Sequence, residues 1–344
     1  MNKIDEFLKK GLYENKNTIM SYRTHLNRYF EIISSNPDTY FDNGRNYEDD
    51  LIQFWEYLKN KPPMTKRAFM NTVKRFLIRY DKSLRDLDIW DTIKARLKGT
   101  EAITEEYIPD NQELKQILLH TDIRTKAVAL ISITGGMRIS EIVGLLPGDV
   151  RLDETPARIT VRAEISKNNK KRTSFITPET VAVIKEWYKV RDKYLETAIK
   201  KCICNANKDP NDKRVFPYAP NTIRYSWDIA VKKAGFEDFD IKTKRRKLHF
   251  HCLRKFFRSY FGNADFSEHI MGHSGYLSTY RKYTDKQLAE IYLKYMDNLL
   301  IFETTPDLTD INKELQQLRR DNEEMKVQIL ELRLEKVEKK NGIN

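Results

Sequence analysis

Apolar residues recur at steps of three and four along most of this 344-residue chain, and one short stretch breaks the rule by alternating. A period of 3.6 buries one stripe of a helix, whereas a period of two buries one face of a strand. The alternating stretch is Ala157 to Ile165, with Ile159, Val161 and Ala163 in step, and an extended pattern resumes over Thr173 to Ile176. Between them, Lys167-Asn168-Asn169-Lys170 has turn chemistry. The pair reads as one β-hairpin with a basic tip. The fold class that follows is mainly α with a small β-sheet.

The helical spacing divides the rest. Asn17-Thr18 precedes Ile19, Tyr22, Leu26, Tyr29, Phe30 and Ile33 on one face. Leu51, Phe54, Trp55 and Leu58 form a second stripe, which Pro62-Pro63 ends. Phe69, Val73, Phe76, Leu77 and Tyr80 form a third. Lys66, Arg67, Lys74, Arg75 and Arg79 punctuate these helices and make either a solvated face or a nucleic-acid face. Residues 98–110 lack helical periodicity, with Gly99 and Pro109 bracketing an interdomain linker. Asp110 is placed to cap a helix that buries Leu114, Ile117 and Leu118. Ala127 to Ile133 is apolar throughout and runs into Gly135-Gly136.

Beyond residue 302, Leu308, Leu315, Asn322 and Ile329 repeat every seven positions, and Ile311, Leu318, Met325 and Leu332 fill the second seam. Such a heptad predicts a C-terminal coiled-coil helix over 303–344, with Asn322 at a core position setting register. A single amphipathic helix folded back on the body is the other reading.

Lys and Arg number 62 against 50 Asp and Glu, a formal charge of +12. That surplus speaks for a polyanionic partner, and nucleic acid leads because neutralising phosphate drives such binding. Three cysteines make no disulfide framework. Cys202 and Cys204 stand as one Cys-x-Cys with no second ligand pair nearby, and Cys252 reads as packing. No stretch approaches the roughly 20 apolar residues of a membrane span, and no signal peptide opens the chain, so the expectation is a cytoplasmic protein without membrane contact.

The chemistry lies in separate boxes. Thr134-Gly135-Gly136-Met137-Arg138-Ile139-Ser140-Glu141 places an arginine after a glycine turn, with a carboxylate three residues on that can face it. His251-Cys252-Leu253-Arg254 puts a second arginine on the face of a histidine. Gly272-His273 and Ser278-Thr279-Tyr280-Arg281-Lys282-Tyr283-Thr284 follow. Arginine presents a planar fork to phosphate oxygens, histidine moves a proton near neutral pH, and tyrosine can hold a covalent intermediate. The set fits phosphodiester chemistry without a metal.

In this order the boxes resemble those of the tyrosine recombinases, the phage-integrase family of DNA strand-exchange enzymes, over roughly residues 10 to 300. The resemblance implies that Arg138 and Arg254 clamp the non-bridging oxygens of a scissile phosphate, that His273 contacts it, and that Glu141 supports Arg138. It implies Lys167 as the general acid of a mobile hairpin, with Lys170 and Lys171 as rivals, and His251 as a base toward Tyr283. Tyr283 is the implied nucleophile, forming a 3′-phosphotyrosyl link, with Tyr280 and Tyr276 as alternatives. It falls ten residues after His273, one more than the family's usual spacing, and Lys255 stands where family sequences often carry a further histidine.

The resemblance also implies a helical core-binding domain over 1–100, a linker over 101–110 and a catalytic domain over 111–302, closing on double-stranded DNA with specific recombination sites. The active assembly would be a homotetramer, needing neither cofactor, metal nor ATP. Ile291 to Phe302 would dock on a neighbouring subunit or pack on its own chain, and the coiled-coil tail would pair protomers. Two other functions stay open at this point: DNA relaxation of the type IB topoisomerase kind, and a non-catalytic architectural role.

Overall fold

The computed structural model describes residues 2–13, 15–42, 44–97, 99, 104–200, 209–272 and 283–302. It divides into two compact units, Met1–Glu105 with Ile241–Thr243, and the remainder from Glu106 onward.

The first unit is helical. Helices α1 (Lys3–Lys10), α2 (Lys16–Ile32), α3 (Tyr47–Leu58), α4 (Pro63–Tyr80) and α5 (Ile89–Arg96) surround a core rich in aromatic rings. The three stripes read from spacing bury Leu26, Tyr29, Phe30, Leu51, Phe54, Leu58, Val73, Phe76 and Leu77. Each such side chain contributes about 1.5–3 kcal/mol on leaving water. Two details differ from expectation. The cap of α2 is Asn15, whose side chain accepts from the Asn17 amide. Helix α3 ends at Leu58, and Pro63 opens α4 at its first position, where the missing N–H costs nothing. Helices α1 and α5 span eight residues each, too short for the period to stand out.

The second unit opens as the sequence suggests. Asp110 accepts from the Glu113 amide while Glu113 accepts from the Asp110 amide, a reciprocal cap on α6 (Asn111–Leu119). Helix α7 (Ile123–Gly135) is buried on nearly every side, which is why its sequence shows no polar face. It packs against β3 (Arg172–Ile176), α9 (Pro178–Lys200), α10 (Pro220–Lys233) and α11 (Phe250–Tyr260). Helices α8 (Ile139–Ile142), α12 (Ala264–Met271) and α13 (Asp285–Tyr295) complete the unit.

The sheet has three antiparallel strands in the order β1 (Val150–Arg151), β2 (Ala157–Val161), β3 (Arg172–Ile176). Ile159 pairs with Ser174, and Val161 with Arg172. The alternation of the sequence is realised only as far as Val161. Ala163–Ile165 turns into a short 3-10 segment, so the strand is shorter than expected. Asn169, with φ +50, closes the turn. The two-residue β1 carries no alternation and was not foreseen.

From Tyr292 to Phe302 the chain packs onto its own unit. The Tyr292 hydroxyl donates to the Thr134 carbonyl at 2.9 Å, and the Glu179 carboxylate accepts from the Ile301 and Phe302 amides. The heptad tail, Cys202, Cys204 and most of the 101–110 linker's first half lie outside the described residues. Among the described residues no helix is long and apolar enough to cross a membrane.

Candidate active site

Two helix ends build the site. Helix α7 stops at Gly136, which takes φ +60, a left-handed conformation that glycine adopts without penalty. A Cβ there would meet the Phe257 ring of α11 at 2.5 Å, so the turn must also be bare. Helix α12 stops the same way at Gly272, φ +68. A helix end leaves carbonyls without intrahelical donors, and they carry partial negative charge. The buried guanidinium of Arg254, 1% exposed, takes up this demand at both ends. It donates to the Gly136 carbonyl and, at 2.6 Å, to the Met271 carbonyl. Burial, and then the charge of Arg138, press the Arg254 pKa below the usual arginine range, and the two carbonyls hold the charge in place.

Arg138 stands at the mouth of α8 in an extended conformation. The Glu141 carboxylate, fully buried, accepts from the Arg138 amide at 2.9 Å and from Arg138 Nη1 at 3.1 Å. The pairing expected from the three-residue spacing is therefore present. A further partner was not expected. Arg172, the first residue of β3, donates to both Glu141 oxygens, at 3.1 and 2.5 Å. Burial alone would raise the Glu141 pKa, but the Arg172 hydrogen bonds and the Arg172 and Arg138 charges outweigh it and hold the carboxyl below its usual range.

Arg138, His251 and Arg254 line one cleft of about 380 Å³, together with Arg224, Asp228 and His249. Helix α11 buries Leu253, Phe256 and Phe257 on one side, which turns His251 and Arg254 toward the cleft as their spacing predicts. His251 is solvent-exposed at the rim. Partial desolvation, then the charges of Arg254 and His249, lower its pKa, with Glu106 opposing and Lys255 adding to the decrease. Lys255 itself is ion-paired to Glu106.

Two other predicted residues, Lys167 and Tyr283, do not line this cleft. Lys167 is exposed at the hairpin tip. Its neighbour Asn168 donates to the Gly272 carbonyl at 3.1 Å, which brings the tip beside the end of α12. Tyr283 is half-buried, its ring edge-on to His269 of α12 at 5.4 Å between centroids. His273 lies outside the described residues, as do the alternative tyrosines, Tyr276 and Tyr280.

Glu106, His249 and Cys252 bring three ligand-type atoms within 4.8 Å of one another. Each already has other work. Lys255 neutralises Glu106, and the Cys252 sulfur lies 3.3 Å from His249 Nδ1 and 3.4 Å from the Lys247 carbonyl. Burial pushes its thiol up to about 11. Cys252 is 0% exposed and packs in the core of the second unit, as expected.

Residues 109–290, more than half of the chain, match the model of the phage integrase family. No protein of curated function matches by sequence. Among solved structures, the chain is similar to a lambda integrase dimer bound to a COC′ core site, at 12% identity and a TM-score of 0.57, covering 82% of this chain and 78% of that one. A lambda integrase tetramer bound to a Holliday junction matches at 12% identity and 0.54, covering 83% and 79%. XerH bound to a palindromic difH substrate after cleavage matches at 15% identity and 0.51, covering 85% and 91%. At these identities the likeness is one of fold.

Proposed function

The chain belongs to the phage integrase family, and from that premise we infer that it is a site-specific tyrosine recombinase, cleaving and rejoining DNA through Tyr283. One observation carries the reading: Arg138 and Arg254, held by Glu141 and by two helix-end carbonyls, turn onto a single cleft with His251. Fixed cations in a partly desolvated site stabilise the charge that gathers on phosphate oxygens during in-line displacement.

The step balances within the chain's own residues. The Tyr283 oxygen bonds to phosphorus and its proton passes to His251. The bond from phosphorus to the 5′ oxygen breaks, and Lys167 protonates the departing oxygen. The 3′-phosphotyrosyl link keeps the phosphodiester's energy, so a 5′-hydroxyl from a partner duplex can reverse the step without ATP. His273 would add a donor to the phosphate. The substrate is double-stranded DNA with specific sites, and the assembly a tetramer on two duplexes. Residues 1–100 serve as core-binding domain. Their Lys74, Arg75, Arg79, Lys82 and Arg85 border one wide cleft of about 700 Å³, suited to a phosphate backbone. Residues 101–110 link the domains, 111–302 form the catalytic domain, and the 303–344 heptad pairs protomers as a coiled coil.

Covalent trapping on nicked suicide DNA, after selection of the cognate site, tests the reading. The chain should form an adduct in the presence of EDTA, with the DNA attached to the Tyr283 peptide. Tight binding to that site with no adduct would instead favour an architectural role.

The pH dependence supplies an independent check. A base must be neutral to accept a proton, and desolvation with the Arg254 charge lowers the His251 pKa from its usual 6.5. Single-turnover cleavage should therefore hold steady as pH falls to 6.5 and decline only below it. His251→Gln should be slower and lack that acid limb. A limb that persists in the variant would assign it to another group.

A further inference from the structure

We propose that Arg172 is a positioning residue of the cleavage site, occupying both oxygens of Glu141 so that Arg138 keeps most of its guanidinium for the phosphate. The inference rests on the recombinase reading above and extends it to a residue outside the Arg138, Lys167, His251, Arg254, His273 and Tyr283 set.

The geometry states the case. An arginine and a carboxylate prefer a paired, two-bond contact. Glu141 sits three residues from Arg138 in a buried site, where that preference is strong. Left alone with Glu141, Arg138 would turn its fork onto the carboxylate and away from the cleft. Arg172 prevents this. Its Nη1 and Nη2 take Oε1 and Oε2 of Glu141, and Arg138 is left one guanidinium bond, through Nη1. Among the described residues its Nε and Nη2 have no other partner, and they remain for an incoming oxygen.

Arg172 is itself fixed. Its Nε donates to the Ile270 carbonyl at 2.8 Å, near the end of α12. Gly272 gives it room, since a Cβ there would stand 3.0 Å from Arg172 Cδ. The side chain is 9% exposed. A buried cation is a poor choice for stability alone, because apolar side chains of similar volume usually serve as well.

The test compares cleavage by the full chain on the trapped-adduct substrate at saturating DNA. Binding affinity and melting temperature are followed in parallel, at a temperature where every variant is folded. Arg172→Met should bind DNA within about twofold of the unaltered chain, yet cleave about 100-fold more slowly, the scale of losing one transition-state donor. Arg172→Lys keeps the charge but not the fork, and should lose about tenfold. Adding Glu141→Gln to Arg172→Met should recover about tenfold over Arg172→Met, because it frees Arg138 from the carboxylate.

A merely structural Arg172 predicts the opposite, with the second substitution making matters worse or adding independently. That result, or Arg172→Met cleaving like the unaltered chain, would overturn the proposal. If Arg172→Met does not fold, Arg172→Lys with and without Glu141→Gln decides by the same criterion. Failure of the unaltered chain to form any adduct would sink the recombinase reading itself, a separate outcome.

Discussion

Tyr283→Phe should bind DNA as tightly as the unaltered chain and form no covalent adduct with it. Cleavage should fall by at least about 10⁴-fold, the scale on which losing a nucleophile acts. The substitution is clean because of where the ring sits. Tyr283 is half-buried, packed against the core of the second unit and edge-on to His269. Phenylalanine retains that packing and removes only the oxygen. Unchanged affinity with no adduct on a denaturing gel would establish the nucleophile. An adduct surviving in the variant would move the chemistry to Tyr280 or Tyr276. The present geometry adds a second expectation. Tyr283 packs on α12 and does not border the cleft of Arg138, His251 and Arg254, so on the proposed mechanism its hydroxyl would have to be brought to the phosphate before attack. Cleavage should then trail binding in a stopped-flow experiment, with a lag or a slow step independent of DNA concentration.

The contrast between Arg254 and Arg172 shows which parts of such a site can be read from sequence. Arg254 was legible because its relation to His251 is local: three residues on a helix place both on one face, and α11 delivers them to one cleft. Arg138 and Glu141 were legible for the same reason. Arg172 was not. Its partner Glu141 is 31 residues away and Ile270 is 98 away, and it closes a basic run that reads as a solvated hairpin tip. A signal was nonetheless present. Strand periodicity puts Arg172 on the face of Ser174 and Ile176, both buried. A charged residue on that face needed a partner. The fold followed a similar rule. Long stripes such as those of α2, α3 and α4 were plain, whereas α1, α5 and β1 were too short for a period, and β2 stopped where the turn took over at Ala163.

Replacing Glu141 by glutamine should have the largest effect on stability. The carboxylate is 0% exposed and accepts four hydrogen bonds, two from Arg138 and two from Arg172. Glutamine keeps the shape but leaves two guanidiniums facing a neutral amide, one of whose ends is itself a donor. Breaking a buried pair this way costs about 3–5 kcal/mol, because the surviving charges lose compensation and not merely a contact. Chemical denaturation at neutral pH should show a loss of about that size. The pH dependence carries the sign of the shift. The folded-state pKa of Glu141 lies below the ordinary value of 4.5, so its contribution is fully present above 4.5 and fades as pH falls through the lower folded value. The stability gap between the unaltered chain and Glu141→Gln should therefore be constant from neutral pH down to about 4.5 and close below it. A gap that does not change with pH would mean that the loss does not come from the Glu141 charge. Cleavage in the single variant should fall only about tenfold, because Arg138 loses a brace but keeps its place at the mouth of α8. A large loss of stability beside a modest loss of rate would mark Glu141 as the floor of the site, with Arg138 and Arg254 as the groups that meet the DNA.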